Sequence, residues 1–528
     1  MHRITIATTL LLAFMPAALA TGPLSPIKNW DEQKAAHLLR RAGFGGTPDE
    51  IRRMADMGLD PAVDALLNFD ATPQTDPDFM PARGLDGYEM RERMRDLPED
   101  ERKEVRQRLG PLYRYQAESM RAWWLRRMVV TPRPLEEKMT LFWHGHFTSG
   151  AREVENTTLL WNQNDFLRRH ATGRFRDLLV GTSRDGAMLK YLDNISNKKR
   201  KPNENYAREL MELFTMGEGR YTEQDVKEAA RAFTGWTLGP DGFRVAERQH
   251  DRGVKTFLGQ TGPLDGEDVI DIILREDATA EFMAAKLLRF FVISEPPKHW
   301  VRAVASELRR TDFDLHKTLR TLFRSELFYS DEAAFSLIKS PVELVVGSYR
   351  LLEASPDDAY GMAEACRDMG QDLFQPPNVK GWDGGRKWIN TATLFARYNF
   401  SRRLLAKPDG RELRRRERQM GRMESGMAEL EDHLEDYPGL ELPPEQVKNQ
   451  PQQAAAFMRL AKRGRPETAE EVTDLFIRRL LQRPLAPEQR ATLLTVLGGG
   501  FHIQAPGATD RVRDLINVIM AMPEYQLN

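Results

Sequence analysis

Two imidazoles flank a glycine in Phe-Trp-His-Gly-His-Phe-Thr-Ser-Gly, residues 142–150. Residue types of this kind can bind a metal, move a proton or pack in an aromatic pocket. In extended backbone His144 and His146 would point to one side and could share a metal ion; on a helix they would lie ~200° apart and could not. Gly145 makes an extended or turned backbone accessible. A third ligand could come from His250, Asp251, Glu209 or Glu212, and such a nitrogen and oxygen shell suits divalent zinc, manganese or iron. Without a metal, the same groups could serve as acid and base. The third reading is structural, with both rings buried among their aromatic neighbours.

Carboxylates concentrate in Lys201-Pro-Asn-Glu-Asn-Tyr-Ala-Arg-Glu-Leu-Met-Glu-Leu-Phe-Thr-Met-Gly217. The spacing predicts a helix with Asn205, Arg208, Glu209 and Glu212 on one side and Tyr206, Leu210, Met211, Leu213 and Phe214 on the other. Either Arg208 pairs with Glu204 and Glu212 on a solvated face, or Asn205, Glu209 and Glu212 line a cavity and supply its carboxylates. In the loop reaching Gly259, adjacent side chains diverge, so one member of the pair His250-Asp251 is expected to be structural. Gln375-Pro-Pro-Asn-Val-Lys-Gly-Trp-Asp-Gly-Gly-Arg-Lys-Trp-Ile-Asn390 is a loop fixed by proline and glycine. It presents Trp382 and Trp388 beside Asp383, Arg386 and Asn390, a composition suited to stacking on a sugar or a peptide. Trp236, expected in a loop beside Gly239-Pro240, is a further binding candidate. The competing reading makes the Trp382 loop a cap on the core, with Trp382 as its plug.

The elements that must hold these residues are helical. The pattern predicts a charged helix over 98–108, a break at Gly110-Pro111, a second helix over 112–128 carrying Trp123-Trp124, and a third over 135–143 ended by Gly145. Thr222-Glu-Gln-Asp225 has capping-box spacing and launches 226–233. Extended candidates are short, as in Gly242-Phe-Arg-Val and Lys255-Thr-Phe-Leu. The expected fold class is mainly α, a large multi-helical assembly with long loops and few or no short strands. Residues 408–437 are densely charged and weakly apolar, which suits a solvated helix or hairpin followed by a proline-containing linker.

Arg3, the apolar stretch Ile4–Met15, Pro16 and Ala18-Leu19-Ala20 read as a secretory signal peptide. The chain is therefore expected to be exported, to the periplasm or beyond, with no membrane span. Cys366 is the one cysteine in 528 residues, so no intramolecular disulfide can form, and its helical context predicts a buried thiol. With 77 basic residues against 78 acidic, no global field points to nucleic acid. The sequence carries no phosphate-binding Walker loop, dinucleotide fingerprint, Gly-x-Ser-x-Gly elbow or Cys-based zinc spacing.

Leu38-Leu-Arg-Arg-Ala-Gly-Phe-Gly, Phe142-Trp-His-Gly-His-Phe, Asn203-Glu-Asn-Tyr-Ala-Arg-Glu-Leu-Met-Glu-Leu-Phe, Phe233-Thr-Gly-Trp, Lys255-Thr-Phe-Leu-Gly, Lys339-Ser-Pro-Val-Glu and Val379-Lys-Gly-Trp-Asp-Gly-Gly-Arg-Lys-Trp-Ile-Asn follow one another in order. Together they resemble the bacterial family catalogued as domain of unknown function 1800. That resemblance implies an exported, predominantly helical protein, often encoded beside an exported family resembling alkaline phosphatases and sulfatases, and it carries over no established catalytic residues. The expected organisation is a signal peptide at 1–20, a helical core at 21–407 with the shared blocks, a charged insertion and linker at 408–465, and C-terminal helices at 466–528 packing on the core. Two functional readings follow. One is a metal-assisted hydrolase of an extracellular or envelope polymer, with His144, His146 and His250 as metal ligands and Glu209, Glu212 and Asp251 as catalytic groups. The other is a non-catalytic envelope scaffold that binds a partner, such as another exported protein, through its tryptophan loops.

Overall fold

The computed structural model describes residues 22–82, 88, 92, 94–406, 418, 421, 425, 441, 457–463 and 466–528. The expected signal peptide and most of the charged segment 408–465 lie outside the described residues. The described chain is mainly α, as its periodicity requires. Its sheets are two antiparallel pairs, β1 (Trp236–Gly239) with β2 (Gly242–Val245) and β3 (Lys255–Phe257) with β4 (Gln260–Gly262). Both short extended candidates are strands, β2 and β3. Trp236 opens β1 rather than sitting in a loop, and its ring meets Phe233 and Phe243 edge-on, each at 4.9 Å.

The expected break at Gly110-Pro111 does not occur. A single helix runs Glu99–Val130 with Pro111 inside it. Proline there removes a backbone donor and crowds the preceding turn. Leu109 and Leu112, 1% and 0% exposed, bury apolar surface on either side of the proline and offset that cost. Downstream on the same helix Trp123 and Trp124 enter the core. The core is one apolar cluster from Ala35 to Tyr525, with members on both sides of the charged segment. Ile338 and Leu527 form an isolated bridge that fastens the last residues beside the Pro341–Leu351 helix.

The capping box at Thr222 forms as its spacing predicts. The Thr222 N–H donates to Asp225 Oδ2 (2.9 Å) and the Asp225 N–H to Thr222 Oγ1 (3.2 Å), launching the Glu223–Ala232 helix. Asp225 also accepts the Leu258 N–H at 2.8 Å, so the cap reaches the β3–β4 turn. The 201–217 segment departs from ideal periodicity. It is α-helical over Asn205–Glu209 and then widens into a π-helix over Leu210–Thr215. The Met216 N–H donates to the Met211 carbonyl at 2.8 Å, and the Thr215 hydroxyl donates to the Leu210 carbonyl at 2.6 Å. π-Helical turns of this kind occur frequently at functional sites. Among the described residues no helix is long and apolar enough to cross a membrane.

Candidate functional site

The helix that begins at Pro134 continues through Gly145 to His146. The extended geometry on which a metal shared by His144 and His146 depends is therefore not adopted, and the two rings enter different environments. His144 Nε2 accepts the Phe374 N–H at 3.0 Å, which places its own proton on Nδ1. Its ring lies between Trp124 (5.2 Å), Phe374 (4.7 Å) and Trp382 (5.7 Å). Burial, helped by nearby Arg121, lowers its pKa to about 3 and keeps it neutral. His146 Nε2 donates to the Phe214 carbonyl at 3.0 Å, and its ring packs among Phe142, Trp143, Phe147 and Phe214. Among the described residues no group of three or more His, Cys, Asp or Glu side chains is arranged to hold a metal.

His250 and Asp251 join neither imidazole. His250 Nδ1 donates to the Thr234 carbonyl at 2.8 Å. Asp251 accepts from Arg231 Nε at 2.9 Å and from the Gly253 N–H at 2.8 Å. Against the cost of burial, Arg231 and that N–H hold the Asp251 carboxyl below its usual range. Both residues fasten their loop to the end of the Glu223–Ala232 helix, so the expectation that one of the adjacent pair is structural applies to both.

The 375–382 loop docks on the residues that end the Pro134–His146 helix. The Phe374 carbonyl accepts the Ala151 N–H at 2.7 Å, and the Thr148 hydroxyl donates to the Val379 carbonyl at 2.6 Å. Gly381, at φ +82°, brings its Cα so close to the Gly145 carbonyl that a Cβ would sit 2.4 Å from that oxygen. Gly381→Ala is therefore expected to destabilise the protein by roughly 1–3 kcal/mol, from strained backbone and forced separation of the loop. A denaturant melt checks this, and an unchanged midpoint would contradict the close approach. Among the other tryptophan-loop candidates, Trp388 is buried, the Asn390 side chain caps the Thr391–Leu405 helix through the Thr393 N–H (3.0 Å), and Asp383 pairs with Lys380 at 2.9 Å. Trp236 is also core. Half-buried Trp382 and exposed Arg386 remain available to a ligand.

Acidic and phenolic groups gather beside this docked loop. Glu209 and Glu212 lie where the α-helix turns into the π-helix, both partly buried. Tyr221 donates its hydroxyl to Glu212 Oε2 at 3.0 Å. Glu209 makes no hydrogen bond through its carboxyl among the described residues. Burial first, and then the neighbouring Glu212 charge, raise its proton affinity above the ordinary carboxylate value. Arg208 is drawn away to Glu223, at 2.8 Å through each Nη, with a longer contact to Glu204 at 3.3 Å. The expected pair of Arg208 with Glu212 is thus not made, and Glu212 is left to Tyr221.

Tyr191, closing the Gly186–Tyr191 helix, feels both Glu153 and Glu209. Burial and Glu153 push its phenol up to about 12, while the Thr148 hydroxyl beside it acts in the opposite sense. The Glu153 carboxylate lies over Gly150, where a Cβ would meet Glu153 Oε2 at 2.0 Å and the Tyr191 ring at 3.2 Å. Behind these groups Gln163 Nε2 donates to Ser149 Oγ (3.0 Å) and Asp185 Oδ1 (2.8 Å). Burial raises the Asp185 pKa to about 7. Sequence reasoning missed Glu153, Asp185, Tyr191 and Tyr221. Of these, Asp185 left a signal, since Asp-Gly-Ala-Met has the form of a helix N-cap and Asp185 does accept the Met188 N–H at 2.9 Å.

A family model described as "Protein of unknown function (DUF1800)" matches residues 37–527. No curated protein matches the chain. No solved structure matches it either.

Proposed function

The chain belongs to the DUF1800 family, whose description assigns no activity, and we propose from the geometry above that it is a hydrolase of an extracellular or envelope polymer with Glu209 and Glu212 as its acid/base pair. The observation that carries this reading is the contrast between two neighbouring carboxyls. Glu209 is partly buried, its carboxyl makes no hydrogen bond among the described residues, and its proton affinity is raised, whereas Glu212 is oriented by the Tyr221 hydroxyl. A partly buried carboxyl with raised proton affinity suits a proton donor, and a neighbouring carboxyl oriented by a phenol suits an acceptor. In this reading Glu209 donates a proton to the leaving group, and Glu212 receives one from an attacking water. Tyr191 can hydrogen-bond a substrate oxygen beside them, and the loop carrying Trp382 provides an aromatic face next to Thr148. The chemistry rests on side chains, with His144 holding the start of the loop through the Phe374 N–H and His146 fastened to the π-helix at the Phe214 carbonyl.

Soluble product released from purified envelope and extracellular polymers by the wild-type chain, Glu209→Gln and Glu212→Gln tests this reading. Each substitution is expected to lower the release rate about a hundredfold or more while leaving circular dichroism unchanged. A wild-type chain that releases no more product than Glu209→Gln on every polymer would defeat the proposal and shift weight to partner binding through the Trp382 loop. Export is part of the same reading. Recovery of mature protein beginning near Thr21 from the extracytoplasmic fraction is its check, and retention of Met1 on the mature protein counts against it.

A further inference from the structure

A second concentration of charge lies inside the molecule, away from the carboxylates. Arg40 and Arg41 come from the Glu32–Arg41 helix, Lys138 from the Pro134–His146 helix, Lys339 from the residues before the Pro341–Leu351 helix, and Arg397 from the Thr391–Leu405 helix. Their exposures are 7%, 1%, 0%, 7% and 1% respectively. Lys138 pairs with Glu343. Arg40, Arg41, Lys339 and Arg397 have no carboxylate within ion-pair reach among the described residues.

Their partners are neutral. Arg40 donates to Gln482 Oε1 (2.8 Å), Arg41 to the Ala333 carbonyl and Ser336 Oγ, Lys339 to the Tyr525 carbonyl (2.7 Å), and Arg397 to the Lys339 carbonyl (2.8 Å) and Gln526 Oε1 (3.1 Å). Arg40 Nε, Arg41 Nε and Nη1, and Arg397 Nε are buried donors that find no acceptor among the described residues. The groups are electrostatically contiguous. Lys339 feels Arg40, Arg397, Lys138 and Glu343, and Glu343 also acts on Arg41 and Arg397.

Burying an uncompensated cation is costly even after relaxation, and although burial lowers Lys339 to about 7 and lets it shed its proton, the three guanidinium groups stay charged and call for a counter-charge. Carbonyls and amides satisfy individual N–H groups but bring no net charge. Water could fill the empty donor positions, yet it leaves the charge excess intact. We propose that the protein binds one compact inorganic anion, a halide or a tetrahedral oxyanion, among Arg40, Arg41, Lys339 and Arg397, with the unpartnered guanidinium donors as its ligands. Guanidinium suits this task because its fixed donors match an anion's acceptor directions and because it stays charged. The bound ion would lock together the first helix, the Pro341 and Thr391 helices and the last residues of the chain. The proposal stands independently of the hydrolase reading.

The test is thermal unfolding of the full chain in sodium gluconate, with chloride, bromide or phosphate substituted at constant ionic strength. A saturable rise in Tm of roughly 2–3 °C is expected at a hundredfold excess of the effective anion over its Kd. A response to chloride and bromide identifies a halide site, and a response to phosphate alone an oxyanion site. Arg41→Gln and Arg397→Gln should each at least halve the rise. Crystals of the unaltered chain supply a test without any variant: a bromide anomalous peak, or tetrahedral density with phosphate, within hydrogen-bond distance of those guanidinium groups. Identical Tm in all salts together with no such density overturns the proposal. So does a saturable rise that survives both substitutions. If that rise disappears in Arg275→Gln, the anion sits instead in the surface cleft of about 290 Å³ where Arg275 and Arg309 stand beside the ion pairs Arg174–Asp312 and Arg176–Asp271.

Discussion

Replacing Glu137 with alanine is expected to lower stability by about 3–5 kcal/mol, the cost of removing one partner from a buried ionic cluster. Glu137 is wholly buried, and its carboxylate accepts from Trp124 Nε1 (2.7 Å), Arg127 Nε (2.7 Å), Arg168 Nε (2.9 Å) and Arg168 Nη2 (3.2 Å). Against the cost of burial, Arg168 and Arg127 hold its carboxyl below the usual range. The two arginine side chains are themselves only 5% and 4% exposed, so deleting the carboxylate strands cations that water cannot readily reach. Arg127 keeps a contact with Asp78 at 2.7 Å, whereas Arg168 keeps, among the described residues, the neutral Asn164 oxygen at 2.7 Å, the faces of nearby indoles and the charge of Glu136 beyond ion-pair reach. Arg168 therefore carries most of the penalty. A Tm fall of roughly 3–5 °C is the corresponding thermal signal for a chain of this size. Glu137→Gln, which keeps an acceptor but loses the charge, should fall between wild type and alanine. A loss below about 1 kcal/mol for alanine would mean that the cluster opens to solvent in the native state.

Trp124 and Glu137 belong to the same framework as the candidate site, because the Trp124 ring also packs on His144 and Phe374. The cluster anchors the helix on which the Trp382 loop docks. Damage there should consequently reach Glu209 and Tyr191 through loop position, without either being touched.

Local chemistry predicted local structure well. The Thr222 capping box, strands β2 and β3, and the burial of Tyr206, Leu210, Met211 and Phe214 all follow from spacing and propensity. The sequence misled where tertiary packing outweighed a local signal. Pro111 would end an isolated helix, but Leu109 and Leu112 are both buried in the surrounding core. Gly145 would permit an extended turn, yet helix is kept because the backbone must meet Gly381 while His144 meets the Phe374 N–H. A two-residue histidine spacing has opposite consequences in strand and helix, so one backbone choice changed the chemistry the pair could perform. The π-helix left no legible signature, since the residues forming it would also satisfy an ordinary amphipathic pattern. Glu209 and Glu212 were identifiable as candidates. Their partners Tyr191, Tyr221 and Glu153 arrive from separate parts of the chain, and no periodicity reports that convergence.

Acidification from neutrality toward pH 5 is expected to destabilise the protein steeply, because His37, His144 and His146 are buried without charge. Burial lowers all three pKa values below the ordinary 6.5, to about 3 for His144 and well below the ordinary value for the others. Each histidine thus contributes stability that is complete above pH ~6.5 and is lost as the pH falls toward its folded pKa, since the unfolded chain takes up the proton first. Asp185 acts in the opposite sense. Its folded pKa is raised from 3.8 to about 7, so its contribution is complete below pH ~3.8 and is lost as the pH rises through 7. Glu136, Glu209 and Asp372, also raised, oppose the histidines in part. Near pH 5 the balance is a net uptake of about one to two protons on unfolding, a slope of ~1.4–2.7 kcal/mol per pH unit. Denaturant unfolding at a series of pH values measures it directly. Asp185→Asn should steepen the slope by nearly one proton, because it removes an opposing group while leaving the histidines buried. A stability flat from pH 7 to 5 would be incompatible with three uncharged interior histidines, and a slope unchanged in Asp185→Asn would mean that Asp185 is ionised in the folded chain.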